Sequence, residues 1–187
     1  TGDANKALVI VPASLYDNDN TGTWHFGANE TTISDSTSLG SNLSAQGVTW
    51  KNTGCKYSNC FEFDGANDYI NHSTNAASYN YNYDDPFSSC LWYNIKNLEL
   101  AQILVAKQRA ATTYRGWCFI AHNGTTANGL HVQLIHNYTA PQLWISTYVK
   151  LGASVAANTW YHACFTYDGS GDASGVNIYF NGVNQSN

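Results

Sequence analysis

Val176-Asn177-Ile178-Tyr179-Phe180-Asn181-Gly182 decides how this 187-residue chain folds. Val176, Ile178 and Phe180 alternate with Asn177, Tyr179 and Asn181, the period of a strand with one buried face. Asn181-Gly182 is a dipeptide that closes tight hairpins. The same period recurs upstream. Phe61 and Phe63 alternate with Glu62 and Asp64, and Leu130, Val132 and Leu134 alternate with His131 and Gln133. Leu143, Ile145 and Val149 likewise alternate with Trp144, Ser146 and Tyr148. Turn signals separate the runs: Asp64-Gly65-Ala66-Asn67-Asp68, Asn123-Gly124, Asn128-Gly129 and Asp168-Gly169-Ser170-Gly171-Asp172. Only Leu98 to Ala106 offers a competing short helix, and its β-branched content assigns it mostly to strand. Strands at this spacing, uninterrupted by helices, predict an all-β, two-sheet antiparallel jelly-roll sandwich, and the length fits one domain over 1–187.

Composition narrows the function classes. Eight Lys and Arg stand against 13 Asp and Glu, a net charge of -5, and only 11% of residues are charged. Basic residues so few and so scattered cannot neutralise a run of phosphates, which argues against nucleic-acid partners. An aromatic content of 14% is too rich for a disordered chain. No apolar run approaches the roughly 18 residues that span a bilayer, so no membrane span is expected. Met is absent, even at position 1, which reads as a processed or excised piece. A surface of Asn, Ser, Thr and Tyr suits proteins that work outside the cell.

Cysteines and sequons bear on that location. Cys55 and Cys60 bracket Lys56-Tyr57-Ser58-Asn59, where a turn would bring them within disulfide range; the plain alternative is two unpaired thiols. Cys90, Cys118 and Cys164 lie in apolar, strand-like runs, so at least one of the five lacks an intrachain partner. Asn-x-Ser/Thr triplets at Asn29, Asn42, Asn71, Asn123, Asn137 and Asn184 are candidate glycosylation sites. With 22 Asn and 33 Ser plus Thr, composition alone accounts for about four of the six. Asn75 to Asp85, where Tyr79, Tyr81 and Tyr83 alternate with Asn80 and Asn82, is either an edge strand with a tyrosine face or an exposed contact loop.

Specific strings carry a resemblance. Cys60-Phe61-Glu62-Phe63-Asp64-Gly65-Ala66-Asn67-Asp68-Tyr69-Ile70 resembles the F-D-G..D-Y-(I/V) signature of the laminin-G-like, concanavalin A-like jelly rolls. Phe87-Ser88-Ser89-Cys90-Leu91-Trp92-Tyr93 is similar to their F-T-I-S-A-W-V strand. Trp160-Tyr161-His162-Ala163-Cys164-Phe165-Thr166-Tyr167-Asp168-Gly169 is similar to W-x-H-V-A-x-T-Y-D-G, and Val176 to Gly182 to the hairpin ending in Y-x-N-G. Trp24-His25-Phe26 with Ile33-Ser34-Asp35-Ser36 resembles the opening strand and its D-S-S turn, so the likeness runs from about residue 20 to 183. It implies two packed antiparallel sheets, one concave, and makes Cys90 and Cys164 neighbours and thus the expected second disulfide. Family members continue past the Y-x-N-G hairpin with another strand. That implies an open edge covered by a longer parent chain, by another copy, or by Ala7-Leu8-Val9-Ile10-Val11.

The same fold hosts glucanases, whose E-x-D-x-x-E strand presents two carboxylates. Glu62-Phe63-Asp64 supplies half of that pattern and no second Glu follows, so no enzyme activity is expected, and a glycoside hydrolase is the remote alternative. No G-x-S-x-G elbow occurs, and the six histidines form no ligand pattern. Calcium is the expected cofactor if any is used, with Asp64 and Asp168 as first ligands by resemblance; the commoner role of such turn carboxylates, Asp68 and Asp172 included, is to cap their own backbone. Trp144 and Tyr148 share one strand face and Trp92 lies opposite Leu91 and Tyr93; with His131 and Gln133 they make a candidate glycan platform, unless Trp92 is a core residue. The expected function is a non-catalytic recognition or adhesion module at a cell or virion surface, binding a glycan or a surface protein. The alternative is a structural subunit of a surface filament or virion that self-associates at the open edge.

Overall fold

The runs at 130–134, 145–149 and 176–180 lie in strands whose apolar members point one way, whereas the strand holding Phe61 ends at Glu62 and leaves Phe63 50% exposed. In the computed structural model, which describes residues 21–26, 29–37, 39–72, 79–108, 114–122, 128–137 and 143–186, the chain forms two compact units, Thr1–Tyr79 and Asn80–Asn187.

In the first unit β1 (Thr32–Ile33), β2 (Leu43–Gln46) and β5 (Tyr69–His72) form a three-stranded antiparallel sheet, and β3 (Thr49–Lys51) pairs with β4 (Cys60–Glu62). Asp35 organises the turn before β2. Its carboxylate accepts the backbone N–H groups of Thr23, Thr37 and Ser41 at 2.9–3.0 Å and the Thr37 hydroxyl at 2.5 Å. Burial alone would raise its pKa, but these donors outweigh burial and hold the carboxyl below its ordinary value. Cys55 and Cys60 are disulfide-bonded, as their spacing predicts.

The second unit is a sandwich of two four-stranded antiparallel sheets. One has the order β10 (Leu143–Lys150), β9 (Gly129–Asn137), β8 (Gly116–His122), β7 (Gln102–Gln108). The other runs β13 (Val183–Asn184), β12 (Val176–Phe180), β11 (Trp160–Tyr167), β6 (Phe87–Asn94). Between them lie Phe119, Leu130 and Val132 from the first sheet and Tyr93, Phe165 and Ile178 from the second. Phe119 and Phe165, both 0% exposed, meet edge to face at 5.2 Å across the layer. This is the all-β, concanavalin A-like architecture the sequence predicts.

Gly116 permits the close start of β8: its φ is +133° and an added Cβ would sit 1.9 Å from the Lys107 carbonyl oxygen. The Leu98–Ala106 strand begins only at Gln102, because Asn97 Oδ1 accepts the Glu99 N–H at 2.8 Å and turns the chain there. The tyrosine row forms no strand among the described residues. Tyr79 donates to the Thr21 carbonyl at 2.8 Å, Tyr81 stacks on Phe87 at 4.2 Å, and only Tyr83 stands well exposed. Ala7 to Val11 lies outside the described residues, whereas β13 pairs with β12 through Phe180↔Val183.

Cys90 and Cys164 oppose each other in the β6–β11 register and are disulfide-bonded, with 4.1 Å between Cα atoms. Both point away from the core, beside His162 and Trp92. The His162 ring lies 5.1 Å from that of Trp92, and burial holds its pKa below the usual histidine value. The unfolded chain therefore takes up this proton first, so stability present above pH 6.5 is lost as the pH falls below it. His162→Gln is expected to flatten part of the fall in melting temperature between pH 7.5 and pH 5; equal slopes in the two proteins would refute the assignment.

Candidate glycan-binding face

Strand parity builds the site. In β9, Leu130 and Val132 point into the core, so His131, Gln133 and Ile135 point out. In β10, Val149 points inward, and the register sets Trp144 opposite Ile135, Ser146 opposite Gln133 and Tyr148 opposite His131. In β8, Trp117, Phe119 and Ala121 are core, which turns Cys118 and Ile120 outward. The outer face of this sheet therefore carries an aromatic half and a hollow half.

Trp144, near the start of β10, is 39% exposed and Tyr148 is 42% exposed. The Tyr148 ring meets the His131 ring edge to face at 5.9 Å, and His131 Nε2 and Ser146 Oγ share a hydrogen bond of 2.6 Å. Beside them lies a pocket of about 330 Å³, walled by Ile103, Ile120 and Ile135, with Gln108 and Gln133 on its sides and Tyr114 at the rim. Cys118 forms its floor, 2% exposed, and burial pushes its thiol pKa up to about 11. Tyr114 has a φ of +48°, a left-handed conformation that costs a bulky residue on the order of 1 kcal/mol. Such strain tends to collect at ligand sites.

Of the five residues expected in a platform, His131, Gln133, Trp144 and Tyr148 share this face. Trp92 is on β6 of the other sheet, opposite His162, so it belongs to a different surface. The alternation within β6 was legible, but membership of a sheet is a property of topology. Gln108, Tyr114 and Cys118 were missed. The run Trp117-Cys118-Phe119-Ile120 is apolar throughout and shows no alternation, so Cys118 read as one more strand-core residue.

The remaining candidates are scattered. Asp64 Oδ1 accepts the Ala66 N–H at 2.8 Å and Asp168 Oδ1 the Ser170 N–H at 2.9 Å. The Ser170 hydroxyl and N–H hold the Asp168 carboxyl below its ordinary pKa. Both carboxylates thus cap their own turns, and among the described residues neither belongs to a cluster of three ligand side chains. Among the described residues the one such cluster is Cys90, His162 and Cys164, and its two sulfurs are consumed in the disulfide. Glu62 pairs with Lys51 at 3.7 Å across β3 and β4. Asn29, Asn42 and Asn71 are exposed; Asn42 Oδ1 accepts the Asp35 N–H at 2.9 Å, and the half-buried Asn184 donates its amide N–H to Asn177 Oδ1 at 3.1 Å. Asn123 and the Asn137 side chain lie outside the described residues.

A laminin-G model of the concanavalin A-like lectin/glucanases superfamily matches residues 64–187. The chain belongs to that superfamily. No curated protein and no solved structure gives a significant match. At the superfamily level a concanavalin A-like module of laminin-G type is a carbohydrate- or protein-binding domain; the superfamily also includes glycosidases, and nothing in this chain gives positive evidence of catalysis. Two disulfides in a concanavalin A-like module are consistent with an extracellular location. Among the described residues no helix is long and apolar enough to cross a membrane.

Proposed function

We propose that this chain is a non-catalytic extracellular recognition module that binds glycans on the outer face of the β7–β10 sheet. The observation that carries the reading is the pair of exposed rings, Trp144 and Tyr148, beside a pocket lined by no carboxylate and no Lys, Arg or His. Aromatic faces stack on the apolar faces of pyranose rings, and the amides of Gln108 and Gln133 supply the directional hydrogen bonds. A glycan array followed by isothermal titration tests it. Trp144→Ala is expected to weaken sugar binding by at least ten-fold, a loss of about 1.4 kcal/mol, with the protein still folded at the assay temperature, since the residue is 39% exposed and lies outside the core. Unaltered affinity in that variant removes the face from the reading.

A structural subunit of a surface filament or virion is the second reading. It is favoured by apolar exposure at two strands that edge their sheets among the described residues, Ile103 on β7 at 62% and Val183 on β13 at 61%. Sedimentation and electron microscopy of the native protein separate the two readings. Exposed Asn29, Asn42 and Asn71 are the sequons best placed for glycosylation.

Calcium at Asp64 or Asp168 would have to draw on main-chain carbonyls, since their own turns already occupy one oxygen of each carboxylate. Among the described residues neither carboxylate lies in a cluster of three acidic or other ligand side chains. The melting temperature is therefore expected to be the same in millimolar calcium and in chelator; a rise of several degrees would show a site that these side chains do not reveal.

A further inference from the structure

We infer that the pocket floored by Cys118 recognises a secondary amide, and that the ligand is an acetamido sugar, an N-acetylhexosamine. The inference rests on the glycan reading of this face and gives it a ligand class.

Cys118 fixes the orientation of both flanking amides. Its thiol donates to Gln133 Oε1 at 3.4 Å, and its sulfur accepts from Gln108 Nε2 at 3.9 Å. A thiol has one proton to give, and with the pKa pushed up to about 11 that proton stays on at neutral pH. The oxygen of Gln133 and the nitrogen of Gln108 are thereby engaged, which leaves the Gln133 NH2 group and the Gln108 carbonyl oxygen to a ligand. One donor and one acceptor on either side of a small pocket complement a secondary amide: its carbonyl accepts from Gln133 and its N–H donates to Gln108.

The walls suit the rest of the group. Ile103, Ile120 and Ile135 offer apolar contact to an acetyl methyl. The lining holds no Lys, Arg or His, so an anionic substituent would be desolvated with no counter-charge. A peptide also carries secondary amides, but the register favours a sugar. Trp144 stands directly across from Ile135, so a ring whose acetamido group entered the pocket would extend over an exposed indole. A hydroxyl in place of the acetamido group is too short to span from one glutamine to the other and leaves the isoleucine walls without a methyl, at a cost of about 1 kcal/mol or more for each lost interaction.

The test is isothermal titration of the intact chain with three probes: the N-acetylglucosamine dimer, cellobiose and an N-acetylated dipeptide amide. The dimer is expected to bind at least ten-fold tighter than cellobiose. Gln133→Glu, which removes the donor, should abolish that preference, and Cys118→Ser should keep more of it than Cys118→Ala because a hydroxyl can hold both amides. Equal affinity for the dimer and cellobiose overturns the amide inference and leaves the glycan reading standing. Binding of the blocked dipeptide alone overturns both in favour of a peptide partner. No binding of any probe, with an empty glycan array, removes both.

Discussion

Replacing Cys90 and Cys164 together by Ala is expected to cost about 4 kcal/mol of stability, while the same change at Cys55 and Cys60 costs about 2 kcal/mol. The difference comes from loop length. The first bridge closes a separation of 74 residues and the second one of 5, and the chain entropy removed from the unfolded state grows with the logarithm of the loop. The larger loss corresponds to a fall in melting temperature of roughly 10 °C for a chain of this size. Both bridges join positions already held by strand pairing or a tight turn, so neither variant removes core volume. Guanidinium unfolding of the two double variants under identical buffer measures it. Equal losses would show that the long bridge acts through something other than loop closure.

Phe165→Ala is expected to be as damaging, at about 4 kcal/mol. Phe165 is fully buried on β11 and its ring touches Phe87 at 5.4 Å, Trp117 at 5.9 Å and Phe119 at 5.2 Å. It thus joins its own sheet to the sheet that carries the candidate binding face. Truncation leaves a cavity among rigid rings that cannot collapse into it, so the cavity cost adds to the lost transfer energy. Phe165→Leu should cost only about 1–1.5 kcal/mol, since most of the volume is kept. A cost for Ala close to that for Leu would mean that the aromatic layer repacks, contrary to the close contacts on all sides.

Much of this fold was legible in period alone. β9, β10 and β12 alternate cleanly because each has one face in the core and one in solvent, and the same parity set His131, Gln133, Trp144 and Tyr148 on one side. What parity cannot supply is which strand lies beside which. Trp92 was grouped with these four on the ground that it faces away from Leu91 and Tyr93, and it does; its neighbour is His162, on the opposite sheet. The pocket was illegible for a related reason. Gln108, Cys118 and Gln133 come from three different strands, and only the β7–β8–β9 register brings the thiol between the two amides. The tyrosine row misled because its even spacing mimics a strand, whereas Tyr81 is recruited by the Phe87 ring and Tyr79 by the Thr21 carbonyl.

The long bridge also bears on survival of the protein among proteases. Cys90 precedes β7 and Cys164 follows β10, so every residue of the candidate binding face lies inside one covalent loop. A single cut anywhere within that loop leaves both fragments tied together at the back of the sandwich, and the strands that present Trp144 and the Cys118 pocket remain paired. A nicked chain should run as one species on a non-reducing gel, separate into two on reduction, and keep its ligand until it is reduced.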